Sequence, residues 1–217
     1  MERSRRSRAR PSRHRRPGTA VSEKGRTRSE GILDAATKLL IDEGYAQLSI
    51  RKIAARAGVR PGNLQYYYPT KQDVVRALLE RYLARSLQAT RARVASSHGT
   101  PRARLRASLD GILADQASAD ACRFFWEVWA LAARDRDVAR ATRRFYDRYR
   151  QGVADALAAV SPRMGRARIE RRAALAVALL EGLTVLRLGA PRRRKLDPRL
   201  LRELRALVLY LTAETRG

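Results

Sequence analysis

The sequence predicts an all-α protein of about nine helices: a three-helix helix-turn-helix head at the N-terminal side and a larger helical body after it. Three observations lead there. Ala, Leu and Arg dominate a chain of 217 residues, runs of β-branched and aromatic residues are scarce, and apolar residues recur at helical spacing from residue 29 onward. That length is enough for a sizeable core, in one large domain or two small ones.

The elements follow in order. Residues 1–28 hold eleven Lys or Arg against Glu2 and Glu23, with Pro11, Pro17, Gly18 and Gly25 as breakers. Residues 1–26 are therefore predicted as a disordered basic arm. Such a run is a nucleic-acid tail, a solubility tail, or the product of a misplaced start codon. From residue 29, Ile32, Leu33, Ala36, Leu39 and Leu40 fall on one helix face, Thr27 and Glu30 have capping-box spacing, and Gly44 offers a left-handed stop. A short helix from Ser49 turns Ile50, Ile53, Ala54 and Ala57 inward and ends at Gly58. A third opens on Pro61 and stops before Pro69, because the residue preceding a proline is pushed out of the α region.

The fourth helix, about 71–94, starts after Thr70 with Asp73 at the capping-box position, and Val74, Val75, Leu78, Leu79, Tyr82, Leu83 and Leu87 continue its apolar face. Gly99 and Thr100-Pro101 mark the next boundary, and Leu105, Leu109, Ile112 and Leu113 the helix beyond it. Residues 119–134 hold an aromatic cluster, and 137–160 form a long helix with Val138, Phe145, Tyr149, Val153, Ala156 and Val160 near coiled-coil spacing. After Pro162 and Gly165, a helix over about 166–188 carries Ile169, Ala173, Ala176, Leu180 and Leu183. Gly189 to Lys195 is a basic loop, and Asp197-Pro198 caps a last helix whose face is Leu200, Leu204, Leu207 and Leu211. Residues 27–71 then form the head and 72–217 the body.

Charge narrows the partners. Lys and Arg number 47 against 21 acids, a net of +26 that attracts polyanions: nucleic acid, or an anionic membrane surface. A solubility charge or an Arg-rich codon bias would give the same composition. Three short helices with a Gly turn between the second and third are the arrangement that lays the third helix in a DNA major groove.

The stretch Ser49-Ile-Arg-Lys-Ile-Ala-Ala-Arg-Ala-Gly-Val-Arg-Pro-Gly-Asn-Leu-Gln-Tyr-Tyr-Tyr-Pro-Thr-Lys71, with Ile32-Leu33 and Gly44-Tyr45 upstream, closely resembles the DNA-binding signature of the TetR family over residues 28–80. The body resembles that family in helix number, helix lengths and the segment Phe125-Trp126-Glu127-Val128-Trp129-Ala130-Leu131-Ala132. The resemblance implies a sequence-specific regulator of transcription, by default a repressor, that binds a palindromic operator as a homodimer and is released by a small ligand. Gln65 stands where the family usually has Tyr, Tyr68 where it has Phe, and Arg60 where a Ser or Thr cap is common. Gln can read adenine through two hydrogen bonds, so Gln65 alters sequence preference while keeping the dock.

Candidate DNA-binding residues are Arg51, Arg60, Gly62, Asn63, Gln65, Tyr66, Tyr67 and Lys71. Asn63 and Gln65 are the base readers, Arg51 reaches a base or a phosphate, Gly62 permits close backbone approach, and Lys71 clamps the DNA backbone. Ile53, Ala54, Val59 and Leu64 face the core. Tyr68 packs there too, while Tyr66 and Tyr67 expose their hydroxyls; in the plainer reading all three tyrosines are packing residues.

The last two long helices, about 166–188 and 197–213, form the dimer interface that the resemblance implies, although a monomer would use the same apolar faces for its own core. Tyr82, Phe125, Trp126, Trp129, Phe145 and Tyr149 are the candidate effector-binding residues, or a plain aromatic core. The body's 30 basic residues against 15 acidic favour an anionic effector; the aromatics with Glu127 suit a cation instead. No phosphate loop, HExxH, GxSxG or Cys/His metal spacing is present, so neither catalysis, a metal nor a cofactor is expected. A sequence-neutral architectural DNA-binding protein is the main alternative, separated from a regulator by its lack of base preference. The lone Cys122 and the lack of a signal-like or membrane-length apolar run point to the cytoplasm and away from membranes.

Overall fold

The computed structural model describes residues 23–96, 99–186 and 196–212, and within them the secondary structure is helix without strand. The order is α1 (Glu23–Glu43), a 3-10 turn (Tyr45–Gln47), α2 (Ile50–Arg56), α3 (Pro61–Tyr67), α4 (Lys71–Ser96), α5 (Pro101–Ala117), α6 (Ala119–Ala132), α7 (Arg136–Val160), α8 (Arg166–Val185) and α9 (Pro198–Tyr210).

Local chemistry sets most boundaries. The Ser49 hydroxyl accepts the Lys52 N–H at 3.2 Å, and Pro61 occupies the first turn of α3. Thr70 and Asp73 form a reciprocal box: the Thr70 N–H donates to the Asp73 carboxylate at 2.9 Å and the Asp73 N–H to the Thr70 hydroxyl at 3.1 Å. Asp197 accepts the Arg199 N–H at 2.8 Å. Gly44 and Gly58 hold φ of 79° and 66°, which reverse the chain after α1 and α2 at little cost for a residue lacking Cβ.

Three expectations are corrected. The first helix begins at Glu23, within the stretch assigned to the arm, so residues 23–26 are helical. Thr27 lies inside the helix, its hydroxyl donating to the Glu23 carbonyl at 3.1 Å, and is not the cap paired with Glu30. The arm itself, residues 1–22, and the basic loop at 189–195 lie outside the described residues. In α9 the predicted face splits: Leu204 is buried together with Val208 and Leu209, whereas Leu200 and Leu207 point outward. The inward stripe turns by the helical step of four from Leu204 to Val208 and leaves Leu207 on the other side.

One buried cluster unites α1, α2, α3 and the first turns of α4 with Phe124, Phe125 and Val128 of α6 and Val138, Ala141 and Phe145 of α7. A second joins α5, the distal half of α7, α8 and α9 around Leu109, Leu157, Ala176 and Leu180. The first cluster is thus continuous across residue 71, and α7 contributes buried residues to both clusters. Arg81 of α4 fastens it to α1, donating to Asp34 at 2.8 Å and to the Thr37 hydroxyl at 2.7 Å; Arg85 pairs with Glu30 at 2.9 Å. Among the described residues no helix is long and apolar enough to cross a membrane, and no group of His, Cys, Asp and Glu could hold a metal ion.

Candidate DNA-binding face and effector cavity

The short helix α3 has one buried edge and one open edge. Leu64 is fully buried, resting over Ile53 and Ala54 of α2, which are equally buried. Because 3.6 residues make a turn, anchoring Leu64 inward turns Gly62, Asn63, Gln65 and Tyr66 outward. All four are exposed, Tyr66 at 79 %. Nothing lies beside Gly62 within 4 Å, so the backbone there is open to close approach. Arg51 on α2 and Arg60 at the cap of α3 are exposed, and neither is ion-paired among the described residues. Their neighbours Lys52 and Arg56 are engaged by Glu43 and Asp42 at 2.9 and 3.9 Å.

The three tyrosines divide along α3. Tyr66 is outward, with its ring edge-on to Tyr67 at 5.3 Å. Tyr67 is half-buried, packed in part against the core. Tyr68 packs against the same core and shares a 2.7 Å hydrogen bond with Ser29; burial raises its pKa. Lys71 opens α4 and holds its ammonium 4.1 Å from the centre of the Tyr45 ring, which fixes the side chain beside the helix N-terminus.

In the body, a cavity of about 130 Å³ lies between α4, α5, α7 and α8. Of the candidate effector-binding residues, Tyr82, Phe125, Phe145 and Tyr149 line it, and their rings contact one another, Tyr82 to Phe125 at 4.9 Å and Phe125 to Phe145 at 5.4 Å. Trp126 and Trp129 do not line it. Adjacent positions on a helix point about 100° apart, so with Phe125 inward Trp126 turns away. Trp129 instead begins a hydrogen-bonded relay behind the wall. Its indole N–H donates to the Tyr146 hydroxyl at 3.0 Å, Tyr146 donates to Glu181 Oε2 at 3.0 Å, and the Gln116 amide donates to Glu181 Oε1 at 2.8 Å.

Glu181, Asp115 and Gln116 escape the sequence pattern, yet all three line the cavity. A signal was there: Glu181 lies four residues after Val177 and three before Thr184, both buried, so it is an acid continuing an apolar stripe. Burial raises its pKa, partly countered by the hydrogen bonds from Tyr146 and Gln116. Burial raises Asp115 too, with Arg93 opposing. Tyr82, Tyr146 and Tyr149 are all pushed above the usual phenol range, chiefly by burial, with the Glu181 charge adding to each. Glu127, the acid expected beside the aromatics, does not line the cavity; its carboxylate accepts the Tyr45 N–H at 2.8 Å and so ties α6 to the turn below α1.

A helix-turn-helix with an open edge on its third helix, packed on a hollow helical body, is the architecture of a DNA-binding transcriptional regulator. Comparison with known proteins agrees. Residues 32–78 match the model of bacterial regulatory proteins of the tetR family, and residues 101–213 match the C-terminal domain of BetI-type transcriptional repressors. A helix-turn-helix transcriptional regulator from the dhlA 5′ region of Xanthobacter autotrophicus is 31% identical over 174 residues, covering 77% of this chain and 83% of that one. The regulator BetI of Yersinia pestis strain Pestoides F is 34% identical over 106 residues, 48% of this chain and 53% of BetI. The fold is that of a TetR regulator from Haloarcula marismortui (TM-score 0.71, 22% identity, covering 86% and 97% of the two chains) and of a Saccharomonospora viridis regulator solved in complex with choline (0.69, 20%, 84% and 96%). The chain belongs to the TetR family of helix-turn-helix transcriptional regulators.

Proposed function

We propose that this regulator is a repressor that binds a palindromic operator as a homodimer and is released when a small organic molecule fills the body cavity. The observation that carries the reading is the open edge of α3: Gly62, Asn63, Gln65 and Tyr66 are exposed on a helix whose other side is locked by Leu64. Asn63 and Gln65 read base edges, Arg51 and Arg60 meet base or phosphate, and Lys71 with the amides opening α4 clamps phosphate.

Two further observations support the assembly and the release. Leu175, Leu179 and Val185 of α8 and Leu186 at its C-terminal cap, with Leu200, Leu207 and Tyr210 of α9, form an outward apolar set that a second copy would cover. The cavity lies against α4, which also joins the head, so a ligand favouring one tilt of α4 changes the spacing of two recognition helices and lowers operator affinity. The similarity to BetI-type repressors supports repression, and the choline complex of the Saccharomonospora viridis neighbour supports a small organic effector.

Competition at fixed salt between DNA flanking the gene and bulk genomic DNA tests the proposal. Preference of about a thousandfold or more for one flanking site is expected. Equal competition by bulk DNA would leave the sequence-neutral alternative standing.

A further inference from the structure

The cavity holds an imbalance of polar chemistry. Its walls are largely apolar, contributed by residues such as Leu109, Ile112, Val153 and Ala156, yet two carboxylates, Asp115 and Glu181, open into it. The carboxylate of Glu181 receives neutral donors, Tyr146 at 3.0 Å and Gln116 at 2.8 Å, and forms no salt bridge among the described residues. Arg93 partly offsets Asp115, and Arg148 of α7, though exposed overall, also lines the cavity. Tyr149 lines the same cavity, and its hydroxyl is fully buried with no hydrogen-bond partner among the described residues. Both carboxylates act electrostatically on that hydroxyl and on Tyr82, so the four groups converge on one region.

Buried charge without a counter-charge, and a buried hydroxyl without a partner, each cost free energy that a bound molecule can recover. A cation that carries N–H donors repairs both, since the Glu181 carboxylate only accepts and the Tyr149 hydroxyl can accept as well as donate. Resting on the effector reading above, we propose that the cavity takes a protonated primary or secondary amine on an apolar body of roughly six carbons, its N–H groups donating to Glu181 and Tyr149. The size follows from the volume, because a dry cavity of about 150 Å³ accommodates benzene. The four aromatic rings receive the apolar body and add cation–π attraction at the charged end. A quaternary ammonium would supply the charge but no N–H for Glu181 or Tyr149.

Four probes of nearly equal shape separate the possibilities: cyclohexylamine, cyclohexanol, cyclohexanecarboxylate and N,N,N-trimethylcyclohexylammonium. Calorimetric titration of the full chain without DNA should show cyclohexylamine binding about tenfold or more tighter than the other three, the scale of a hydrogen bond to a charged group. Glu181→Gln should weaken the amine about tenfold while leaving cyclohexanol unchanged, and Tyr149→Phe should weaken it severalfold. Equal or tighter binding of the alcohol, the carboxylate or the quaternary ion overturns the proposal, as does failure of all four to bind; the wild-type series decides this even where a variant does not fold. Operator affinity is measured separately. Amine binding without a change in operator affinity sinks only the release mechanism, and firm operator binding without amine binding sinks only the ligand class.

Discussion

The Glu127 carboxylate accepts the backbone N–H of Tyr45 at 2.8 Å, joining residues 82 positions apart. Glu127 sits on α6 two residues from Phe125, which faces the cavity, and Tyr45 opens the turn that leads into α2. The bond therefore links the cavity wall to the DNA-reading head through side-chain and backbone atoms alone. Replacing Glu127 with Ala strands a part-buried N–H and should lower stability by about 1–3 kcal/mol, read as a shift in urea midpoint at constant slope. Gly44→Ala should cost a similar amount, because φ of 79° disfavours an L side chain and the added carbon would sit 3.1 Å from Glu127 Oε1.

On the DNA side, Gln65 and Lys71 should fail in different ways. Gln65→Ala should lose about 1–3 kcal/mol at one base pair per half-site and relax preference there. Lys71→Ala should weaken all sequences alike and reduce the slope of log affinity against log salt by about one. Binding to operators substituted at each position, over a salt series, resolves the two. An unchanged base preference in Gln65→Ala would remove it from the readers.

Glu181 makes folding stability depend on pH in a definite direction. Burial raises its folded pKa above the ordinary 4.5, so between those two values the folded state holds a proton that the unfolded state has released. Stability contributed by this group is complete below about 4.5 and falls as pH climbs through the raised value. Glu181→Gln cannot titrate. Its stability relative to wild type should therefore grow as pH rises from 4.5 toward neutrality, measured by thermal unfolding at closely spaced pH. A gap that is flat with pH would mean that the carboxylate is solvated.

The outward apolar set on α8 and α9 predicts that Val185→Glu with Leu207→Glu, both residues more than half exposed in one chain, converts a dimer to monomers without loss of helix. Light scattering would show half the mass, and operator affinity should fall steeply because two half-sites are no longer bound together. An unchanged mass would place the interface elsewhere.

Much of the head is legible in the sequence because its signals are local. Pro61, Gly58 and the Thr70–Asp73 box each act within a few residues, and Leu64 alone orients α3. The cavity is less legible because its polar members come from distant positions that meet only after packing. Glu181 meets Gln116 across 65 positions and Tyr146 across 35. Aromatic content drew attention to Trp126 and Trp129, but one residue's rotation about α6 decides which rings face inward. Glu127 was legible as an acid among aromatics; that it reaches out to Tyr45 depended on how α6 lies against α1.

The central claim is that the exposed edge of α3 reads a particular base order. Selection of bound DNA from a random duplex pool at stated salt tests it most directly. The account predicts enrichment of one inverted repeat whose half-sites lie on successive turns of the same helix face, with the enrichment at one position per half-site lost in Gln65→Ala. A recovered pool as random as the starting one, from protein that still binds DNA, would contradict it.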